Sequence, residues 1–365
     1  MTARAEHVGS LLRPPVLLLA REDASDPAAL KVAEDLAVRG VVRMQEEVGL
    51  QVLGDGEYRR ESFQSELTNA VEGFEGVGID AWLWGEWHSD ELGDKTVERP
   101  EEMAVVRPLE RRRSLAAEEF TFLRAITDRT VKITLPSPSL FANLWTAERS
   151  KEAYPSFDDF MGAVKGVFVD EVRELARLGC RYVQLDAPHY PLLIDPNWRA
   201  FYEARGWSAE SWIGYGIELD NAVIDAAPDV TFGFHLCKGN QDSRWLVAGG
   251  YGDIAKPVFE GVRAHRLLLE YDDERSGGFE PLALVPDDRV VVLGLVTTKT
   301  PRLEDEEELV ARVHEAAGVV DLERLAISPQ CGFSTSVVGN ALGLDDQRRK
   351  LELCVRVAER VWGGA

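Results

Sequence analysis

Apolar and polar positions along the chain follow two rhythms. Four stretches repeat apolar residues every three to four positions, the helical period. Pro27–Val48 carries Leu30, Ala33, Leu36, Val41, Met44 and Val48 in that spacing, with Pro27 suited to a first turn. Phe157–Leu178 repeats Phe160, Val164, Val167, Val172 and Leu175; Ser156 and Asp159 make a capping-box pair ahead of it, and Gly179 stops it. Glu304–Ala317 opens on a run of acids, which suits the positive end of a helix dipole. Asp345–Trp362 aligns Leu351, Cys354, Ala358 and Val361 on one face. Between these helices lie short apolar runs of strand length: Glu6–Ser10, Gln51–Glu57, Val131–Ser137, Tyr182–Pro188, Val230–Cys237, Arg266–Tyr271, Arg289–Val296 and Leu325–Cys331. Strands alternating with helices predict parallel βα units. Eight of them predict one α/β domain over residues 1–365, a (β/α)8 TIM barrel.

One stretch breaks the rhythm. Arg59–Arg129, an insertion of roughly 70 residues after the second strand, is too long for a simple connection. It holds Trp82, Trp84, Trp87 and His88 among acids and glycines. Such insertions in barrels lie over the active-site mouth or serve an oligomer contact.

Charge narrows the possible partners. The 365 residues carry a formal net charge of −22, and no basic block is long enough to track a phosphate backbone, so nucleic acid and an anionic membrane are excluded. Arg111–Arg113 is the densest cationic spot and reads as the solvated face of a helix. No charged-then-apolar leader is present, and the apolar cluster Val16–Ala20 is too short to span a bilayer. The expected location is the cytoplasm. There the four cysteines would remain thiols, with metal binding or chemistry as their use.

The reactive residue types fall at the C-terminal ends of the expected strands, where such barrels keep their active sites. His235 and Cys237 stand two apart, so on a strand both side chains point the same way. Cys331 ends another strand in Ser-Pro-Gln-Cys-Gly, and Glu270 ends the strand between them in Leu-Leu-Leu-Glu-Tyr. Two thiolates, an imidazole and a carboxylate make a tetrahedral set for Zn2+, and the soft sulfur ligands disfavour Mg2+ and Ca2+. Structural zinc sites draw closely spaced pairs, whereas these ligands come from three distant strands. Zinc held this way is a mild Lewis acid that accepts a further sulfur and turns a thiol into a nucleophile at neutral pH. Glu270, the weakest ligand, is the natural one to yield its place. Cys354 on a helix's apolar stripe and Cys180 after a helix-ending glycine read as core packing.

These residues give the chain a resemblance to the cobalamin-independent methionine synthase family, specifically its C-terminal catalytic barrel. The motifs that carry it are His-Leu-Cys (235–237), Leu-Leu-Leu-Glu (267–270) and Ile-Ser-Pro-Gln-Cys-Gly (327–332), with Val-Gly-Ser (8–10), Gly-Asp-Gly-Glu (54–57) and Gln-Leu-Asp (184–186) in the family's order. The resemblance implies a methyltransferase that holds zinc with His235, Cys237, Glu270 and Cys331 and makes methionine from homocysteine. It also implies that Ser10 and the Val8–Gly9 backbone meet the amino acid's carboxylate, while Glu57 and Asp186 meet its ammonium.

The departures are informative. The family's full-length enzymes carry a second, N-terminal barrel, so this chain resembles the short, single-barrel type, which includes epoxyalkane:coenzyme M transferases. Hence the alternative reading is a zinc-dependent alkyl transferase that joins a thiol to an epoxide or other carbon electrophile. After Asp186 the family commonly shows Glu-Pro, and here stands Ala187-Pro188-His189. Where folate-dependent members place a proton-donating histidine, the strand end reads Gly294-Leu295-Val296-Thr297-Thr298-Lys299. Methyltetrahydrofolate is therefore not the expected donor. The donor stays open: an activated alkyl compound or a methylated corrinoid, free or on its carrier protein, would not need that acid, and for a less activated donor Lys299 is a weak candidate acid and His189 a substitute.

Overall fold

The structure, a computed structural model, describes residues 3–22, 26–76, 84–100 and 103–364. Eleven strands are present among them: β1 (Val52–Leu53), β2 (Val71–Glu75), β3 (Gly85–Trp87), β4 (Lys95–Val97), β5 (Ala104–Arg111), β6 (Thr130–Pro136), β7 (Tyr182–Asp186), β8 (Thr231–Leu236), β9 (Arg266–Glu270), β10 (Val290–Val296) and β11 (Leu325–Pro329). Seven form one sheet in the order β1-β6-β7-β8-β9-β10-β11, and every pairing in it is parallel. Parallel strands covered on both faces read as continuous apolar runs, and β7, β9 and β11 are buried at every position. The fold is α/β, a curled parallel sheet in a half-barrel carrying helices between its strands.

The helices follow their sequence signals closely. Phe157–Leu178 starts on the Ser156–Asp159 capping box and ends at Gly179, whose φ of 100° only glycine adopts readily. Pro27–Glu47, Glu306–Ala317 and Leu344–Trp362 match three more expected helices within two residues at each end.

The first expected strand, Glu6–Ser10, does not form a ladder. Ala5 makes a single parallel bridge to Ile327, with Glu6 N–H donating to Ile327 O (3.1 Å) and Ile327 N–H to Arg4 O (2.8 Å). Beyond it the backbone is used elsewhere. His7 O accepts from the Lys132 ammonium, and Leu11 N–H donates to Gly56 O (3.0 Å). The His7 ring lies 3.1 Å from where a side chain on Gly54 would begin, packed against the residue that follows β1.

Residues between β1 and β6 build two small antiparallel sheets, β2 with β5 and β3 with β4, and the helices Ser65–Ala70 and Ala117–Arg124. Trp82, and residues 101–102 of the expected insertion, lie outside the described residues. The β3–β4 hairpin docks on the loop that follows Cys237. His88 and Trp245 exchange backbone hydrogen bonds (2.8 and 3.0 Å), and buried Trp87 packs against Gly239. Arg111–Arg113 is not on a helix. Arg111 ends β5 and pairs with Glu171 and Glu174, Arg112 with Glu72 and Glu110, and Arg113 with Glu66. Local acids neutralise each arginine.

Candidate metal and substrate site

Strand register sets the site. Asp186, last in β7, pairs in register with His235 in β8, and Cys237 follows two residues on. Cys331 comes two residues after β11. The ligand atoms of His235, Cys237 and Cys331 all lie within 4.8 Å of one another, and all three residues are buried. His235 Nδ1 meets Asp186 Oδ1 at 2.8 Å, while its Nε2 is buried without a hydrogen-bond partner. Burial pulls the His235 pKa down, but the Asp186 hydrogen bond and the neighbouring Cys237 outweigh it, and the net direction is up. Donation from Cys331 draws the Cys237 pKa below its ordinary value and pushes that of Cys331 up.

Glu270 is not in that trio. Its carboxylate accepts from Lys238 N–H (2.7 Å) and Arg275 (2.9 Å) and lies 3.4 Å from the Lys299 ammonium. Burial opposes its charge, yet Lys299, Arg275 and Lys238 together hold its pKa well below the usual carboxylate range. Lys299 also contacts Asp272 (3.1 Å); burial lowers its pKa, but Asp272 and Glu270 more than offset that and keep it charged.

A small pocket of about 30 Å³ is lined by Val8, Gly9, Ser10, Glu57 and Asp186 together with His235, Cys237 and Cys331. Glycines keep this wall thin. A side chain on Gly332 would start 2.0 Å from Ser10 Oγ, and one on Gly9 would start 2.6 Å from Glu57 Oε1. Glu57 itself has a φ of 59°, rare for a residue with a side chain. Its Oε1 accepts from Thr134 (2.8 Å), and its Oε2 is buried and unpartnered. Burial, helped by Asp186, raises its pKa despite nearby Arg60. A cation placed there would relieve that penalty.

His189 does not line the pocket, although Pro188 does. It is buried beside Ser139 (Nε2 to Oγ, 2.7 Å), and burial drives its pKa down to about 3. Ser139 continues to Tyr190, whose hydroxyl donates to buried Asp220 (2.6 Å). Phe63, Asn240 and Thr335, which no sequence motif marks, complete the pocket wall. Asn240 donates to Gly332 O (2.7 Å), and its place three residues past Cys237 is the one signal the sequence carries for it. Cys180 and Cys354 are free thiols buried in the core, as expected of packing residues.

Residues 21–360 match the family model described as cobalamin-independent synthase, catalytic domain. The Bacillus subtilis protein YxjH is 33% identical across 98% of this chain and 94% of its own length. A Pyrococcus abyssi methionine synthase is 25% identical across 80% of this chain and 74% of its own. A solved structure from Listeria monocytogenes, described as a candidate vitamin-B12-independent methionine synthase, superposes with a TM-score of 0.74 at 27% identity, covering 99% of this chain and 98% of that one.

Proposed function

Since the chain belongs to the cobalamin-independent synthase catalytic-domain family, we propose that it is a zinc-dependent enzyme that methylates homocysteine to methionine. That it is a methyltransferase of the methionine synthase type follows from the family; zinc, the thiol's identity and the donor are our reading. One observation carries it. Two buried atoms without a hydrogen-bond partner belong to residues that line the same pocket: His235 Nε2 beside two thiols, and Glu57 Oε2 on a carboxylate whose neighbour Asp186 is also negative. The first suits a soft metal, and the second suits an α-ammonium.

The donor set fits zinc, with an imidazole and two thiols within reach of one ion. Bound there, zinc would lower the pKa of a substrate thiol from about 8.5 so that it is a thiolate at neutral pH. Glu270 is the fourth ligand in our reading, and its present partners Arg275, Lys299 and Lys238 N–H give its carboxylate somewhere to go when it is not needed. Glu57 Oε2 and the free oxygen of Asp186 would take the substrate ammonium, and Ser10 with the Val8–Gly9 backbone its carboxylate. The sulfur then attacks the methyl carbon, and the bond to the donor breaks with its electron pair on the leaving group. The thiol proton goes to solvent.

The Ala5–Ile327 bridge supports reading the sheet as a single-domain (β/α)8 barrel whose first strand is worn to one residue pair, with residues 59–129 as the insertion. Two carboxylates in the pocket disfavour a sulfonate-bearing thiol such as coenzyme M, and with it the epoxide alternative. Free thiols suit the cytoplasm, and none of the helices among the described residues is long and apolar enough to cross a membrane. Incubation of zinc-loaded protein with homocysteine and each candidate donor, a methylated corrinoid included, followed by mass analysis, tests the reading. Methionine is the expected product; its absence with every donor would overturn it.

A further inference from the structure

Buried polar side chains run in one unbroken line inside the curled sheet and end on His235. Arg266 donates to Glu6 Oε1 through Nε (3.0 Å) and Nη2 (2.8 Å). Glu6 Oε2 accepts from Lys132 (3.0 Å) and from the Tyr182 hydroxyl (2.8 Å). Lys132 also donates to His7 O and to Gln184 Oε1 (2.8 Å). Gln184 Nε2 donates to Asp186 Oδ1 (2.8 Å), the same oxygen that meets His235 Nδ1 (2.8 Å). The spacing comes from β7, whose residues 182, 184 and 186 share one face.

The chemistry of these groups gives the line a direction. An ammonium has three donors and no acceptor, and Lys132 spends all three. The Gln184 atom facing it must therefore be the carbonyl oxygen, whichever way an amide is otherwise drawn. That turns the Gln184 N–H group toward Asp186 and makes Asp186 an acceptor there. An N–H already aimed at Oδ1 disfavours a proton on that oxygen, so His235 presents Nδ1–H to it and Nε2 keeps its lone pair. We propose that Lys132 and Gln184 are positioning residues that dictate the tautomer of His235 from inside the sheet, so that Nε2 is the metal ligand. This rests on reading His235, Cys237 and Cys331 as a metal site. A corollary concerns Asp186: its Oδ1 is committed to Gln184 and His235, so only the other oxygen is left for a substrate cation.

Gln184→Glu is the discriminating change. A carboxylate at this position still accepts from Lys132 but offers Asp186 no N–H, and it sets two acceptors face to face. Outer partners of a metal-bound histidine are worth about ten- to a hundred-fold in metal affinity. We expect that loss in zinc competition against a chromogenic chelator. In 15N-histidine-labelled, zinc-loaded protein, the His235 Nδ1–H resonance should move toward that of a free imidazole and exchange faster with water. If Gln184→Glu does not fold, Gln184→Met, which cuts the line without adding charge, should show the same two effects. Unchanged zinc affinity and an unchanged Nδ1–H resonance in either folded variant overturn the proposal. Wild-type protein that takes up no zinc would instead overturn the metal reading, and the Nδ1–H resonance of the metal-free protein, recorded with the ring neutral, would still decide the hydrogen-bond direction.

Discussion

Glu57 is held in the left-handed region at φ 59°, a conformation that costs a non-glycine residue about 1–3 kcal/mol. The surrounding bonds sustain it: Glu57 N–H donates to Asp55 (2.8 Å), and Arg13 donates to Glu57 O (2.9 Å). What the strain presents is one unpartnered carboxylate oxygen in the pocket. Glu57→Gln should therefore weaken homocysteine binding roughly ten- to a hundred-fold, the value of one charge-assisted bond, while zinc stays bound. Calorimetric titration alongside metal analysis checks both halves. Asp186→Asn should differ by weakening thiol substrate and zinc together, because the same side chain braces His235. The cysteines divide in the same way. Cys237→Ala or Cys331→Ala should abolish zinc retention, whereas Cys180→Ala and Cys354→Ala should leave metal content unchanged and cost roughly 1 kcal/mol of packing. Zinc lost from either control would show the division to be wrong.

Elements with a strong period were legible in the sequence, and those made by long-range competition were not. Phe157–Leu178 was readable to the residue because its cap, stripe and stop agree locally. The run at 6–10 reads as a strand, yet its backbone serves Lys132 and the pocket wall instead of a ladder. The trio His235, Cys237 and Cys331 could be grouped from the sequence, but the pull of Lys299 and Arg275 on Glu270 could not, since Lys299 arrives from the loop after β10 and Arg275 from a turn five residues past Glu270 whose direction no motif gives. The β3–β4 hairpin was invisible except as an aromatic cluster. Trp87→Ala should cost about 3–5 kcal/mol in denaturant unfolding and should also speed zinc release, because Trp87 packs on the loop behind Cys237. A stability loss with unchanged zinc release would confine the hairpin to a structural role. The helix Ala209–Asp225 adds a pH signature. Burial raises the Asp220 pKa to about 7, against hydrogen bonds from the Ser137 and Tyr190 hydroxyls that pull it down. The native state thus keeps a proton that the unfolded chain has released, so this group's contribution falls as pH rises from about 4 to 7. Asp220→Asn should gain on wild type across that window in urea unfolding; a constant difference would remove Asp220 as the cause.

At the scale of the whole molecule, charge and the site's proton supply point to the same class of donor. Transfer of a methyl from N5 of a neutral folate requires protonation of that nitrogen, since the unprotonated leaving group is too basic. Lys299 is held charged by Asp272 and Glu270 and so holds its proton more tightly than an ordinary lysine. His189, with a pKa near 3, carries no spare proton at neutral pH and does not line the pocket. A net charge of −22 adds a long-range penalty for a polyglutamate tail, strongest at low salt, where the Debye length exceeds about 10 Å. Methyltetrahydrofolate should therefore be a poor donor, and its triglutamate poorer still. The gap between the two should close as ionic strength rises, because screening acts on the tail and not on the missing acid. A donor with a better leaving group and little negative charge should turn over efficiently and show little salt dependence. Single-turnover assays with homocysteine, run across a salt series for each donor, separate the two effects. Efficient methionine formation from the triglutamate at low salt would sink both parts of the argument, whereas slow turnover without salt dependence would leave only the proton supply as the cause.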